Sequence, residues 1–120
     1  MPSASDIDKF KLGLPGPLYN SSQSGLTATA GGAQASIPLN QHVNVVSTVA
    51  TIADSGQLPA AVPGRKIIVR NAAANSMNVF PQTGETINSG AANAAFAVAG
   101  GKNCMFVCGV LGNWIAVLSA

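Results

Sequence analysis

Beyond its first eleven residues the chain offers few side chains able to move protons, attack a substrate or hold an ion: His42, Asp54, Glu85, Arg65, Lys66, Arg70, Lys102, Cys104 and Cys108. General acid and base work by paired carboxylates would need Asp54 and Glu85 to meet, and nothing in their spacing brings them together. A Cys/His nucleophile would have to join His42 to Cys104 or Cys108, but both thiols fall in the most apolar stretch of the chain, where a cysteine is ordinarily inert packing. On a strand the two cysteines share a face with Cα atoms roughly 13 Å apart, beyond the ~7 Å limit for a disulfide. A structural zinc site uses four ligands, and His42 is the only further soft donor, so no metal is expected. Gly100-Gly101-Lys102 lacks the glycine spacing and the following Ser/Thr of a phosphate loop and reads as a hairpin turn.

The remaining candidates are surfaces. Arg65, Lys66 and Arg70 form a small basic cluster in which Lys66 and Arg70 share one side of a strand while Arg65 faces the other; it suits an acidic partner or a subunit interface, or a solvated sheet edge that discourages aggregation. Trp114 opens an apolar strand and is read as core or, with the basic cluster, as part of a subunit interface. Six Lys/Arg against four Asp/Glu in 120 residues give a net charge of only +2. That is too little, and too scattered, to track a phosphate backbone, so nucleic acid is not an expected partner. The expectation is a non-enzyme with no cofactor and no small-molecule substrate.

With 48% apolar and 8% charged residues the chain should fold as one small domain. Met105 to Leu118, its longest apolar region, is broken by Gly109, Gly112 and Asn113 and is too short for a membrane span. Asp6 and Asp8 stand where an export signal needs a basic start, so synthesis in a cytoplasm with free thiols is expected and Asn20-Ser21-Ser22 is a chance glycosylation match.

Residues 1–20 read as an extended arm. Pro15 and Pro17 disfavour a helix, and Ile7, Phe10, Leu12, Leu14, Leu18 and Tyr19 exceed what a solvated linker needs. Twenty extended residues reach roughly 65 Å. Residues 21–120 read as short strands between turns. Val43, Val45 and Val49 alternate with Asn44 and Thr48. Arg65–Arg70 and Ser76–Phe80 are predicted to pair as a hairpin across 71–75, and Phe96–Ala99 with Lys102–Cys108 as another across Gly100-Gly101. Glu85–Asn88 is a short strand, and Ala91–Val98 a loop entering a strand despite its helix propensity. Both faces of the last two strands are apolar, which predicts a second sheet on one side and an arm or a neighbouring subunit on the other. No repeat is visible, which disfavours a solenoid.

Three stretches carry a resemblance: Leu58-Pro59-Ala60-Ala61-Val62-Pro63-Gly64-Arg65-Lys66-Ile67-Ile68-Val69-Arg70-Asn71-Ala72, Asn78-Val79-Phe80-Pro81-Gln82-Thr83-Gly84-Glu85-Thr86-Ile87-Asn88, and Ala99-Gly100-Gly101-Lys102 with the terminal Gly112-Asn113-Trp114. From Gly56 onward the chain resembles small tailed-bacteriophage virion proteins that decorate the capsid exterior. The resemblance implies a small jelly-roll-like β-sandwich, a homotrimer, and a cement role on the head, where the major capsid protein is the partner and the virion the location. A head-fibre or tail-associated module that binds a host receptor or glycan is the alternative. The arm, with Ile7, Phe10, Leu12, Leu14 and Tyr19 as its anchors to shell or sister subunit, lies outside the matched stretches.

Overall fold

A computed structural model describes residues 21–120, and these contain ten strands and no helix. They are β1 (Ser22–Thr27), β2 (Ile37–Pro38), β3 (Val43–Thr48), β4 (Ser55–Gln57), β5 (Lys66–Asn71), β6 (Met77–Phe80), β7 (Thr86–Ile87), β8 (Phe96–Val98), β9 (Asn103–Val110) and β10 (Asn113–Leu118). The fold class is all-β, as the alternation and turn residues predict.

The connectivity is not that of a jelly roll. A jelly roll pairs its strands antiparallel, whereas here the chain coils. β1, β3 and β5 stack in parallel in a six-stranded sheet of order β1-β3-β5-β9-β10-β7, and β2, β4 and β6 stack in parallel in a four-stranded sheet of order β2-β4-β6-β8. Each pass alternates between the sheets, so Ser22 lies beside Val43 and Val43 beside Ile68. This is a short solenoid-like stack, closed by strands that return antiparallel: β8 against β6, β9 against β5, and β10 against β9. The expectation against a solenoid fails because the repeat is one of backbone path, with coils joined by loops of unequal length and no shared sequence.

Both hairpins predicted across 71–75 and across Gly100-Gly101 are therefore corrected. β5 and β6 belong to different sheets, as do β8 and β9. Residues 71–75 and Gly100-Gly101 carry the chain from one sheet to the other. Among the described residues only β9 and β10 form a true hairpin, turning at Leu111 and at Gly112, whose φ of 80° suits a residue without a Cβ. Ala91–Val98 enters β8 without a helix, as expected.

Between the sheets lies one core that includes Leu39, Val46, Leu58, Val69, Met77, Val79, Val98, Phe106 and Trp114. Phe96 of β8 meets Phe106 of β9 edge to face, with ring centroids 5.9 Å apart, tying the sheets together. In β3 Asn44 departs from hydropathy: it points inward with Val46, while Val43 and Val45 are only half buried. Asn44 is fully buried because every polar atom it carries is used. Its Nδ2 donates to the carbonyls of Gln41 and Ile68, and its Oδ1 accepts from the Gln41 amide and from Gln23 Nε2. It thus links three successive coils of the stack.

Glycine has a steric role at Gly56 on β4. A Cβ there would come within 2.7 Å of the Leu39 side chain, which is wholly buried. Gly56→Ala is expected to lower stability by about 1–3 kcal/mol, since a packed leucine must leave its rotamer; urea unfolding checks this.

Candidate docking surface

The strand alternation of β5, β9 and β10 sorts the apolar side chains of these strands into two faces. Inward go Ile67, Val69, Cys104, Phe106, Cys108 and Trp114, all buried. Outward go Ile68, Met105 and Val107, half buried, with Ile115 47% and Val117 53% exposed. Register aligns these outer residues across strands: Val43 beside Ile68, Ile68 beside Met105, Met105 beside Val117, and Val107 beside Ile115. The result is an apolar band running across four strands of the six-stranded sheet, and no second layer lies on it among the described residues. The sequence reading that these strands are apolar on both faces is met, and the structure identifies which face lacks its cover.

A second exposed apolar group lies at the β9–β10 turn. Val110 and Leu111 at the β9–β10 turn are 68% and 74% exposed. Backbone hydrogen bonds from Gly112 to Ala61 and from Gly64 to Cys108 hold this turn against the 61–64 loop, where Val62 is also exposed. Contiguous apolar surface of this kind marks a site of association in a folded protein. Sequence reading did not single out this tip, although a Val-Leu pair at a hairpin turn, where polar residues are the rule, was the signal available.

Lys66 and Arg70 lie exposed on the same outer face, beside Val107 and Asn103 respectively. Arg70 Nη1 donates to Asn103 Oδ1 at 2.9 Å. Arg65 is directed elsewhere, donating to the Ala60 carbonyl at 2.7 Å. The idea that this basic strand guards a sheet edge is corrected, because β5 is interior, paired to β3 and β9. Edge protection falls instead to short β2 with Pro38, and to β1, where Gly25 interrupts the register. Trp114 as an interface residue is also corrected: it is completely buried and cannot touch a partner. Its Nε1 has no hydrogen-bond partner among the described residues. The arm residues Ile7, Phe10, Leu12, Leu14 and Tyr19 lie outside the described residues.

The side chains with catalytic chemistry are occupied separately. Asp54, buried beside β4, accepts the Thr51 amide, and both carboxylate oxygens of Glu85 accept the Ala61 amide at 3.1 Å. Each carboxylate serves as a turn brace in a different part of the molecule. Among the described residues no cluster of three His, Cys, Asp or Glu could hold a metal ion, and no helix is long and apolar enough to cross a membrane.

Both thiols are free and buried. Burial pushes Cys104 up from 9.0 to about 11, partly offset by a backbone hydrogen bond at Val117. Between these two values the unfolded chain has lost its thiol proton and the folded chain has kept it, so the unfolded state is favoured as pH rises. Stability is full below pH 9 and is expected to fall toward pH 11, and the slope should flatten in Cys104→Val. Melting temperature against pH in the two proteins checks the difference.

Compared with protein-family models and with curated proteins, the chain matches none.

Proposed function

We propose that the protein is a structural adhesive of a tailed-bacteriophage virion, a cement protein that binds the outer surface of the head and bridges joints between major capsid subunits, acting as a homotrimer. The observation that carries this reading is the uncovered apolar band, Ile68, Met105, Val107, Ile115 and Val117, beside which Val62, Val110 and Leu111 form a second exposed apolar group at the β9–β10 turn. A sheet face of this composition costs solubility and is useful only if something covers it.

The physical task is modest. Packaged DNA presses capsid subunits apart, and a molecule bridging them adds buried area that must be broken first. A docking area on the order of 1,000 Å² or more per surface is sufficient for specific association. Low net charge favours the same end, because copies crowded on a shell repel one another little. Ile7, Phe10, Leu12, Leu14 and Tyr19 supply further apolar contact to the shell or a sister copy, and Lys66 and Arg70 set orientation at the margin of the band.

The test is binding to isolated expanded heads. Ile115→Lys with Val117→Lys places two charges in the band at positions already exposed, so the fold should survive while binding falls by about tenfold or more. Unaltered binding of this folded variant contradicts the reading. A handful of copies confined to the tail would favour the receptor-binding alternative.

A further inference from the structure

The sheet that carries the apolar band ends in an open stretch of edge. We infer that residues 116–118 of β10 pair antiparallel with the same residues of a second copy, about a two-fold axis at Leu118, so that two six-stranded sheets join edge to edge. This adds a two-fold contact to the threefold arrangement proposed above, and it holds whether or not the chain cements a shell.

The ladder decides which backbone groups are open. Ser119 donates its amide to the Asn103 carbonyl, and in the same register Val117 lies beside Met105 and Ile115 beside Val107. Every second residue of an antiparallel strand bonds to its neighbour, so 115, 117 and 119 face β9 while 114, 116 and 118 turn their N–H and C=O groups to the other side. On that side β7 pairs only with Asn113 and Trp114. The chain then leaves through Asn88 and Ser89, both at positive φ. The Asn88 amide donates to the Trp114 carbonyl, and its Oδ1 accepts the Ala116 amide. Among the described residues nothing pairs with the Ala116 carbonyl or with the amide and carbonyl of Leu118.

Three features select a second copy as the occupant. The edge is self-complementary: across a two-fold at Leu118 each Leu118 amide meets the other copy's Leu118 carbonyl, and the contact closes at two copies. It is also uncharged. No charged side chain follows Lys102, so two such edges meet without like-charge repulsion, and residues 115–118 lack the Lys or Pro that ordinarily guards an edge. The third feature is length. β7 and Asn88 occupy the edge as far as the Ala116 amide, so a long foreign strand would run into β7, whereas a copy in this register has its own β7 at the far end of the paired stretch. Pairing also sets Ile115 and Val117 of both copies on one face, which doubles the width of the apolar band.

In this pair the two Leu118 Cα atoms stand about 5.5 Å apart, within the span of about 4.4–6.8 Å that a disulfide bridges. The two Ile115 residues lie three positions to either side of the axis, roughly 20 Å apart. Both side chains are exposed, Ile115 slightly the more, and both native thiols are buried. Full-length Leu118→Cys and Ile115→Cys are oxidised separately with copper phenanthroline, and covalent dimers are followed on non-reducing gels. The expected result is that Leu118→Cys links at least about tenfold faster, because pairing holds the two thiols at high effective concentration. Equal rates, or a faster link in Ile115→Cys, mean random collision and overturn the inference. Hydrogen exchange of the wild-type chain decides should either variant fail to fold. So short an edge gives a weak dimer, so the Leu118 amide should exchange at least about threefold more slowly at millimolar than at micromolar concentration. A Leu118 rate that concentration leaves unchanged overturns the inference. A chain that pairs in this way but binds no head keeps the inference and loses the functional reading.

Discussion

Replacing Trp114 by alanine should unfold a large fraction of the protein at moderate temperature. Among the described residues Trp114 is the largest wholly buried side chain, set on β10 between the hairpin partner β9 and the edge strand β7. Truncation removes its transfer free energy and leaves a cavity that a closed stack cannot collapse to fill, at a cost of about 3–5 kcal/mol. For a domain whose total stability is on the order of 5–15 kcal/mol that is a large share. Trp114→Phe should cost much less. It retains most of the ring volume and removes an Nε1 that has no partner among the described residues, a group whose burial is itself worth about 1–3 kcal/mol against folding. Urea unfolding of the two variants therefore separates volume from polarity. An equal loss in both would mean that the indole N–H finds a partner.

A comparable loss is expected where β5 leaves one sheet for the other. Asn71 is fully buried, and its Nδ2 donates to the carbonyls of Asn75 and Val98 while its Oδ1 accepts the Ala73 amide. Its main chain is held equally firmly, the amide by the Lys102 carbonyl and the carbonyl by the Gly101 amide. This one side chain joins the 71–75 crossover to β8 and the turn into β9. Asn71→Leu conserves volume and strands three polar groups, so a loss of about 3 kcal/mol or more is expected. Gly100→Ala probes the same clasp sterically. A Cβ at Gly100 would fall on the Ala74 carbonyl and lie 2.9 Å from the Ala73 oxygen, both backbone atoms that cannot step aside. Both variants should show lowered denaturation midpoints and faster amide exchange in β8. A stable Gly100→Ala protein would mean that the two crossovers are not packed as described.

The strands were legible in the sequence because their signals are local. Ile67 and Val69, Met77 and Val79, Cys104, Phe106 and Cys108 alternate as half-buried strands do, and the structure buries all of them. The pairing was not legible. A five-residue turn rich in Asn and Ala serves equally well to fold a strand back on itself or to carry it into a facing sheet, and nothing near Asn71 distinguishes the two. What decides is distant: the backbone of β3, already in place beside β5, and β9 arriving more than thirty positions later. The same holds for Asn44, which looks like an outward residue in a valine-rich strand until Gln23, Gln41 and Ile68 are seen to satisfy it.

The docking surface was half legible. An apolar residue at every position from Cys104 to Cys108 implies two covered faces, but which face meets the second sheet depends on the sheet order. The division of the basic residues, Lys66 and Arg70 on one side and Arg65 on the other, was legible from alternation alone. Alternation separates Lys66 and Arg70 from Ile67 and Val69, and the loop turns Arg65 back to the Ala60 carbonyl.

The most direct measurement is whether the chain is part of a viral particle at all: an electron microscopy map, with quantitative mass spectrometry, of any particle assembled from the genome that encodes it. The predicted result is many copies spread over the head exterior, seated at joints between major capsid subunits with the Ile115 and Val117 face or the Leu111 tip turned toward the shell. A chain absent from the particle, or present only as a few copies at the tail, would contradict the cement role.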